Sequence, residues 1–173
     1  HEKVQKEIEV RLPKSLEATL SKGKKKSGFL GIPIVDPKSA ARPGKVQTDR
    51  IEDWEIVRFQ EATGRNNLVA LETKADWVKN MAPPFRAGGR IVIDRDDKKV
   101  RPNAYYAINS ASKKKSPRDA SVTGIRRLSQ SGSRLWFIED RTDKEYDYLD
   151  LKASDRIENI IIGRIIWVWQ KMP

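Results

Sequence analysis

Few side chains in this 173-residue chain could serve as a thiol nucleophile, a metal ligand or a proton shuttle. There are no cysteines, and the single histidine, His1, sits at the terminus. A disulfide framework, a cysteine-based zinc site and histidine catalysis are therefore not expected, and neither is any metal or cofactor. Positive charge is abundant instead: 35 Lys and Arg against 24 Asp and Glu leave a formal net charge of +11. Such an excess favours polyanionic neighbours such as nucleic acid, which concerns association and not fold. It is weighted to the start, with net +6 over residues 1–50 and +5 over residues 51–173. Three segments concentrate polar chemistry. Ser21–Gly28 (SKGKKKSG) and Asn109–Ser121 (NSASKKKSPRDAS) are basic, and Asp143–Asp150 (DKEYDYLD) is acidic and aromatic. Each is also consistent with a plain surface role: a solvated linker, a hairpin tip, and a turn with two packed tyrosines.

The elements that must position these residues read as strands. Short β-like runs fall at Phe29–Val35, Trp54–Phe59, Leu68–Leu71, Arg90–Asp94, Tyr105–Asn109, Gly124–Leu128, Arg134–Glu139 and Ile160–Gln170, separated by turn residues. Ile91 and Ile93 alternate with Val92, as in a strand with at least one packed face. No long crossover helix is apparent, which argues against a parallel α/β sheet. Val4, Ile8, Leu12, Leu16 and Leu20 recur every four residues, suggesting short helical turns broken at Pro13, before the flexible run at Ser21–Gly28. A mostly β domain over residues 29–173, preceded by a helical or irregular extension over residues 1–28, is the expectation. The apolar run near Ile160–Trp169 is too short and interrupted for a membrane span, and no signal peptide opens the chain, so a cytoplasmic protein without a membrane partner is expected.

Asn80–Asp94 (NMAPPFRAGGRIVID) is the most informative segment. It resembles the nucleophile motif of the LexA, lambda repressor and UmuD-like family of self-cleaving repressors. Met81, Pro83, Phe85, Gly88, Ile91, Val92 and Asp94 occupy the family's places. The likeness continues through Pro102, Tyr105–Ile108, Gly124–Leu128 (GIRRL) and Ile162–Trp167 (IGRIIW), covering residues 29–173. It implies a LexA and signal-peptidase-like fold of small twisted antiparallel sheets. The chemistry it implies is self-cleavage by a serine that an uncharged lysine deprotonates; burial can lower a lysine pKa enough for that role.

Each part of that machine is altered here. The nucleophile position holds Asn80, whose carboxamide does not attack at neutral pH, and the lysine position holds Arg126, whose guanidinium stays protonated. Ile32–Gly44 resembles the cleavage loop, but the usual Ala-Gly pair is Ala41-Arg42, followed by Pro43. Lys79 replaces the acid before the serine, and the Gly-Asp turn is Gly88-Gly89. A pseudoenzyme is expected. Asn80 would then satisfy local backbone amides, and Arg126 would pair with an acid across the strand or simply be solvated.

With cleavage lost, the resemblance still implies pairing of subunits, so the expected role is the C-terminal oligomerisation and regulatory domain of a bacterial or phage transcription regulator. Its partners would be a second copy, and DNA through a helix-turn-helix domain outside this chain that residues 1–28 would follow. Ile162, Ile165, Trp167 and Trp169 are the candidate dimer interface, because the last run is apolar in both alternating registers; a strand buried on both faces inside one subunit explains the pattern equally well. Two alternatives belong to other classes: an active peptidase with an unusual dyad, and a ligand- or peptide-sensing module that uses the vestigial cleft.

Overall fold

The computed structural model describes residues 29–58, 62, 64–109, 121–141, 147–152 and 156–170. The extension at 1–28, the interior of the basic loop and residues 142–146 and 153–155 of the acidic insertion lie outside the described residues. The chain is mostly β. In order it forms β1 (Phe29–Val35), α1 (Pro37–Ala41), β2 (Ile51–Arg58), β3 (Leu68–Glu72), α2 (Ala75–Val78), β4 (Arg90–Asp94), β5 (Tyr105–Ile108), β6 (Gly124–Ser131), β7 (Arg134–Ile138), β8 (Asp147–Asp150) and β9 (Ile161–Trp169), with 3-10 turns at Thr48–Arg50 and Ile157–Asn159. Among the described residues no helix is long and apolar enough to cross a membrane.

The nine strands join in one succession, β2-β1-β3-β4-β9-β5-β6-β7-β8, instead of in separate small sheets. Every pairing is antiparallel except β1 with β3, which run parallel and meet at Ile34 and Ala70. The sheet carries apolar residues on both faces. Ile91 and Ile93 of β4 pack with Leu71, Trp77, Met81 and Phe85, while Val92 between them packs with Ile32, Ile34 and Ala70. This two-sided burial follows from the side-chain period of two, and a fully buried aliphatic side chain stabilises the fold by about 1.5–3 kcal/mol.

The strand β9 lies at the centre, hydrogen-bonded to β4 on one side and β5 on the other. Ile162 and Ile165 are 5% and 9% exposed and belong to the subunit's own core. The expectation that these two residues form a dimer interface is therefore corrected: apolar side chains appear in both registers because both faces of the strand are covered. Trp167 is half-buried, and Trp169 remains 43% exposed. Gly163 interrupts the apolar run because nothing larger fits; a Cβ there would stand 2.3 Å from the Asp94 carbonyl oxygen. Both ladders of β9 shift register close to this crossing, at Val92/Ile93 and at Ala107/Ile108.

Candidate functional site

Asn80 follows α2 on a short turn in which the Met81 amide donates to the Val78 carbonyl at 3.0 Å. Buried Met81 and Phe85 anchor the turn in the core, and the Phe85 ring meets Tyr105 with centroids 4.7 Å apart. Further along, Thr73 ties down the return to β4. Its backbone N–H donates to Gly89 at 2.8 Å, and its carbonyl accepts from the Gly88 amide at 2.9 Å. Gly88, where the family has the glycine of its Gly-Asp turn, adopts φ +75°, a conformation that suits glycine.

Arg126 comes from β6, whose ladder with β7 pairs Arg127 with Ile138. One step further along this antiparallel ladder, Arg126 faces Glu139. Its Nη2 lies 2.5 Å from Glu139 Oε1, and the other carboxylate oxygen, Oε2, accepts from Asn80 Nδ2 at 2.6 Å. Glu139 thus joins the two positions that the family resemblance assigns to nucleophile and base. Arg126 pairs across the strand, as one of its two expected readings had it. The side chain of Asn80 reaches Glu139, 59 residues along the chain, instead of capping local amides.

Asp140 makes a second set of ties. Its Oδ2 accepts from the Ala82 amide and from the Tyr105 hydroxyl, each at 3.0 Å, and its Oδ1 lies 2.8 Å from Arg127 Nε. The Arg141 amide donates to the Asn80 carbonyl at 2.9 Å. Burial, reinforced by the hydrogen bond to the Asp140 carboxylate, raises the Tyr105 pKa above the ordinary phenol value. The loop after α2 is therefore stitched to the end of β7 by consecutive residues, 139 to 141. Chemically, the centre offers a carboxamide, a guanidinium and a carboxylate already occupied by both, with neither an attacking group nor a neutral base at these positions.

The segment Ile32–Gly44, which the resemblance likens to a cleavage loop, is held elsewhere. Asp36 caps α1, its Oδ1 accepting from the Lys38 and Ser39 amides at 2.8 and 3.0 Å. Ala40 is buried, and Ala41 packs against the core cluster that contains Met81 and Phe85. Arg95, 6% exposed, donates to the carbonyls of Arg42 at 2.8 Å and Gly44 at 2.6 Å, and its Nε donates to Asn67 Oδ1 at 2.9 Å. The Ala41-Arg42 junction is thus the end of a helical turn clamped by a buried guanidinium. Arg95 and Glu139 were not legible as site residues. Arg95 reads as an ordinary charge after a strand, and Glu139 gains meaning only through the β6–β7 register. Among the described residues no group of three or more His, Asp or Glu is gathered as a metal would need. No protein-family model and no curated protein matches this chain.

Proposed function

We propose that this chain is the C-terminal pairing and regulatory domain of a bacterial or phage transcription regulator, built on the plan of a self-cleaving repressor that no longer cleaves. The observation that carries this reading is the convergence of Asn80 and Arg126 on Glu139. Two residues 46 positions apart meet where a serine and a lysine would have to meet, and neither can do the chemistry. A permanently charged guanidinium held by a carboxylate is the opposite of the neutral base that the reaction needs. Arg95 supports the same reading by fixing the loop that would have to be cut.

Regulation without cleavage leaves subunit pairing as the retained role, with DNA contacted through a helix-turn-helix domain outside this chain. Trp169, 43% exposed at the end of the central strand, is an aromatic residue available to such a contact. Light scattering over a concentration series tests this. A dimer that Trp169→Glu converts to a monomer is the expected result, and a monomer at every concentration overturns the pairing role. Intact mass after incubation at alkaline pH should remain that of the whole chain; two fragments, one ending at residue 41 and one beginning at residue 42, would overturn the non-cleaving reading.

A further inference from the structure

Beside the β6–β7 ladder lies a cavity of about 710 Å³. It is lined by the segment that connects β4 to β5, by β6 from Arg127 onward with the Gly132 turn, by Ile138 at the end of β7 and by Ile157. Four cations line it, Lys98, Lys99, Arg101 and Arg127, and none of its lining residues is acidic. Its apolar lining comes from Val100, Leu128, Ile138 and Ile157, and Ser129 and Asn103 add polar groups.

The cations are only partly answered by the protein. Arg101 Nη2 meets Asp97 at 3.3 Å from an exposed position. Lys98 Nζ donates to the Glu158 carbonyl at 3.1 Å, and burial lowers its pKa although the Glu158 and Asp96 charges oppose that, so a further anion in the cavity would favour its charged form. Arg127 Nε is answered by Asp140 Oδ1 at 2.8 Å, which leaves the rest of the guanidinium to the cavity side.

We infer that this cavity is a binding site for a nucleotide, its phosphates held by the Lys98, Lys99, Arg101 and Arg127 side and its base laid on the apolar lining. The volume falls in the range of small-ligand sites, about 300–1,000 Å³, and the pairing of clustered cations with an apolar lining suits a charged head on a flat apolar body. A concave site of this size suits a free nucleotide better than a duplex, which needs an extended basic face. The inference does not depend on the repressor-like reading, since it uses neither Asn80 nor Glu139.

Calorimetric titration of the whole chain with ATP and with GTP tests it, alongside inorganic phosphate and a duplex of unrelated sequence. One-to-one binding of at least one nucleotide is expected, weakened about tenfold or more by Lys99→Glu and again by Arg101→Glu, each of which removes a charge-assisted contact. Ser129→Trp, which fills the cavity without changing charge, should also abolish binding, while Lys45→Glu, an exposed charge outside the cavity, should leave it unchanged. Equal weakening by Lys45→Glu would reduce the effect to net charge and overturn the site. Phosphate binding as tightly as the nucleotides would overturn the role of the apolar lining. Displacement of nucleotide by duplex through the same residues would replace the nucleotide with nucleic acid. No binding of either nucleotide at millimolar concentration would overturn the inference outright.

Discussion

Glu139→Gln isolates the contact on which the Asn80–Glu139–Arg126 cluster depends, because it removes one charge and preserves the shape of the side chain. Glu139 holds Asn80 Nδ2 at 2.6 Å and Arg126 Nη2 at 2.5 Å, with the Arg126 and Glu139 side chains 23% and 22% exposed. Two hydrogen bonds to a charged acceptor contribute about 3–6 kcal/mol when fully shielded from water. Here solvent reaches both partners of the ion pair, and the glutamine keeps one acceptor, so the expected loss is about 1.5–3 kcal/mol. For a chain of this length that corresponds to a fall in Tm of roughly 4–9 °C. Urea unfolding followed by tryptophan fluorescence measures the loss, and a double-mutant cycle with Arg126→Met measures the coupling, expected at about 1 kcal/mol or more. A Glu139→Gln variant within about 0.5 kcal/mol of the parent, with no coupling to Arg126 or to Asn80→Ala, would refute the claim that one carboxylate joins the two positions.

Three further expectations test other parts of the fold. Arg95→Met should destabilise by about 3 kcal/mol or more, since it strips a buried donor from the Arg42 and Gly44 carbonyls and from Asn67, and hydrogen exchange over residues 38–46 should accelerate; unchanged exchange there would show that the loop needs no clamp. Gly163→Ala should prevent folding or cost about 3 kcal/mol or more, because its methyl would collide with rigid backbone of Asp94; circular dichroism and urea unfolding report the outcome, and a parent-like midpoint would show that β4 and β9 can part. Tyr105 and Tyr106 both titrate above the ordinary value near 10, each chiefly through burial, so the stability they contribute is complete below pH 10 and is lost as the pH rises through their folded-state values; the pH dependence of unfolding above 10 should flatten in Tyr105→Phe, and an unaltered slope would count against the shift.

Eight of the nine described strands were legible from runs of β-branched and aromatic residues bounded by turn residues, whether the strand is buried on both faces, as β3 and β4 are, or largely exposed, as β2 is. The strand β8 was not. Its residues, Asp147 to Asp150, lie at the sheet edge with only Leu149 half-buried, and the pattern DYLD carries no apolar stripe. The central place of β9 was one of two readings of the same apolar run, since side chains buried within a subunit and side chains buried between subunits are chemically alike. Asn80 and Arg126 were located by the motif. Their meeting at Glu139 required the β6–β7 register, which composition does not encode. Arg95 escaped notice for a related reason: its acceptors are backbone carbonyls, and backbone carbonyls leave no trace in a sequence.

The central position of β9 also bears on the order in which the sheet can be assembled. The strands β2, β1, β3 and β4 form one half-sheet and β5 to β8 the other, and in the strand order they are bridged by β9 alone. On a ribosome both halves emerge before the strand that unites them, so each waits with an open edge of unpaired amides and carbonyls, the kind of edge that invites mispairing. The ties from Asn80 and Ala82 to residues 139–141 cross the same divide away from β9. They can hold the halves in register while the bridge is still being made. The Asn80–Glu139–Arg126 cluster would in that case serve as an assembly clasp, its value lying in how the nascent chain closes.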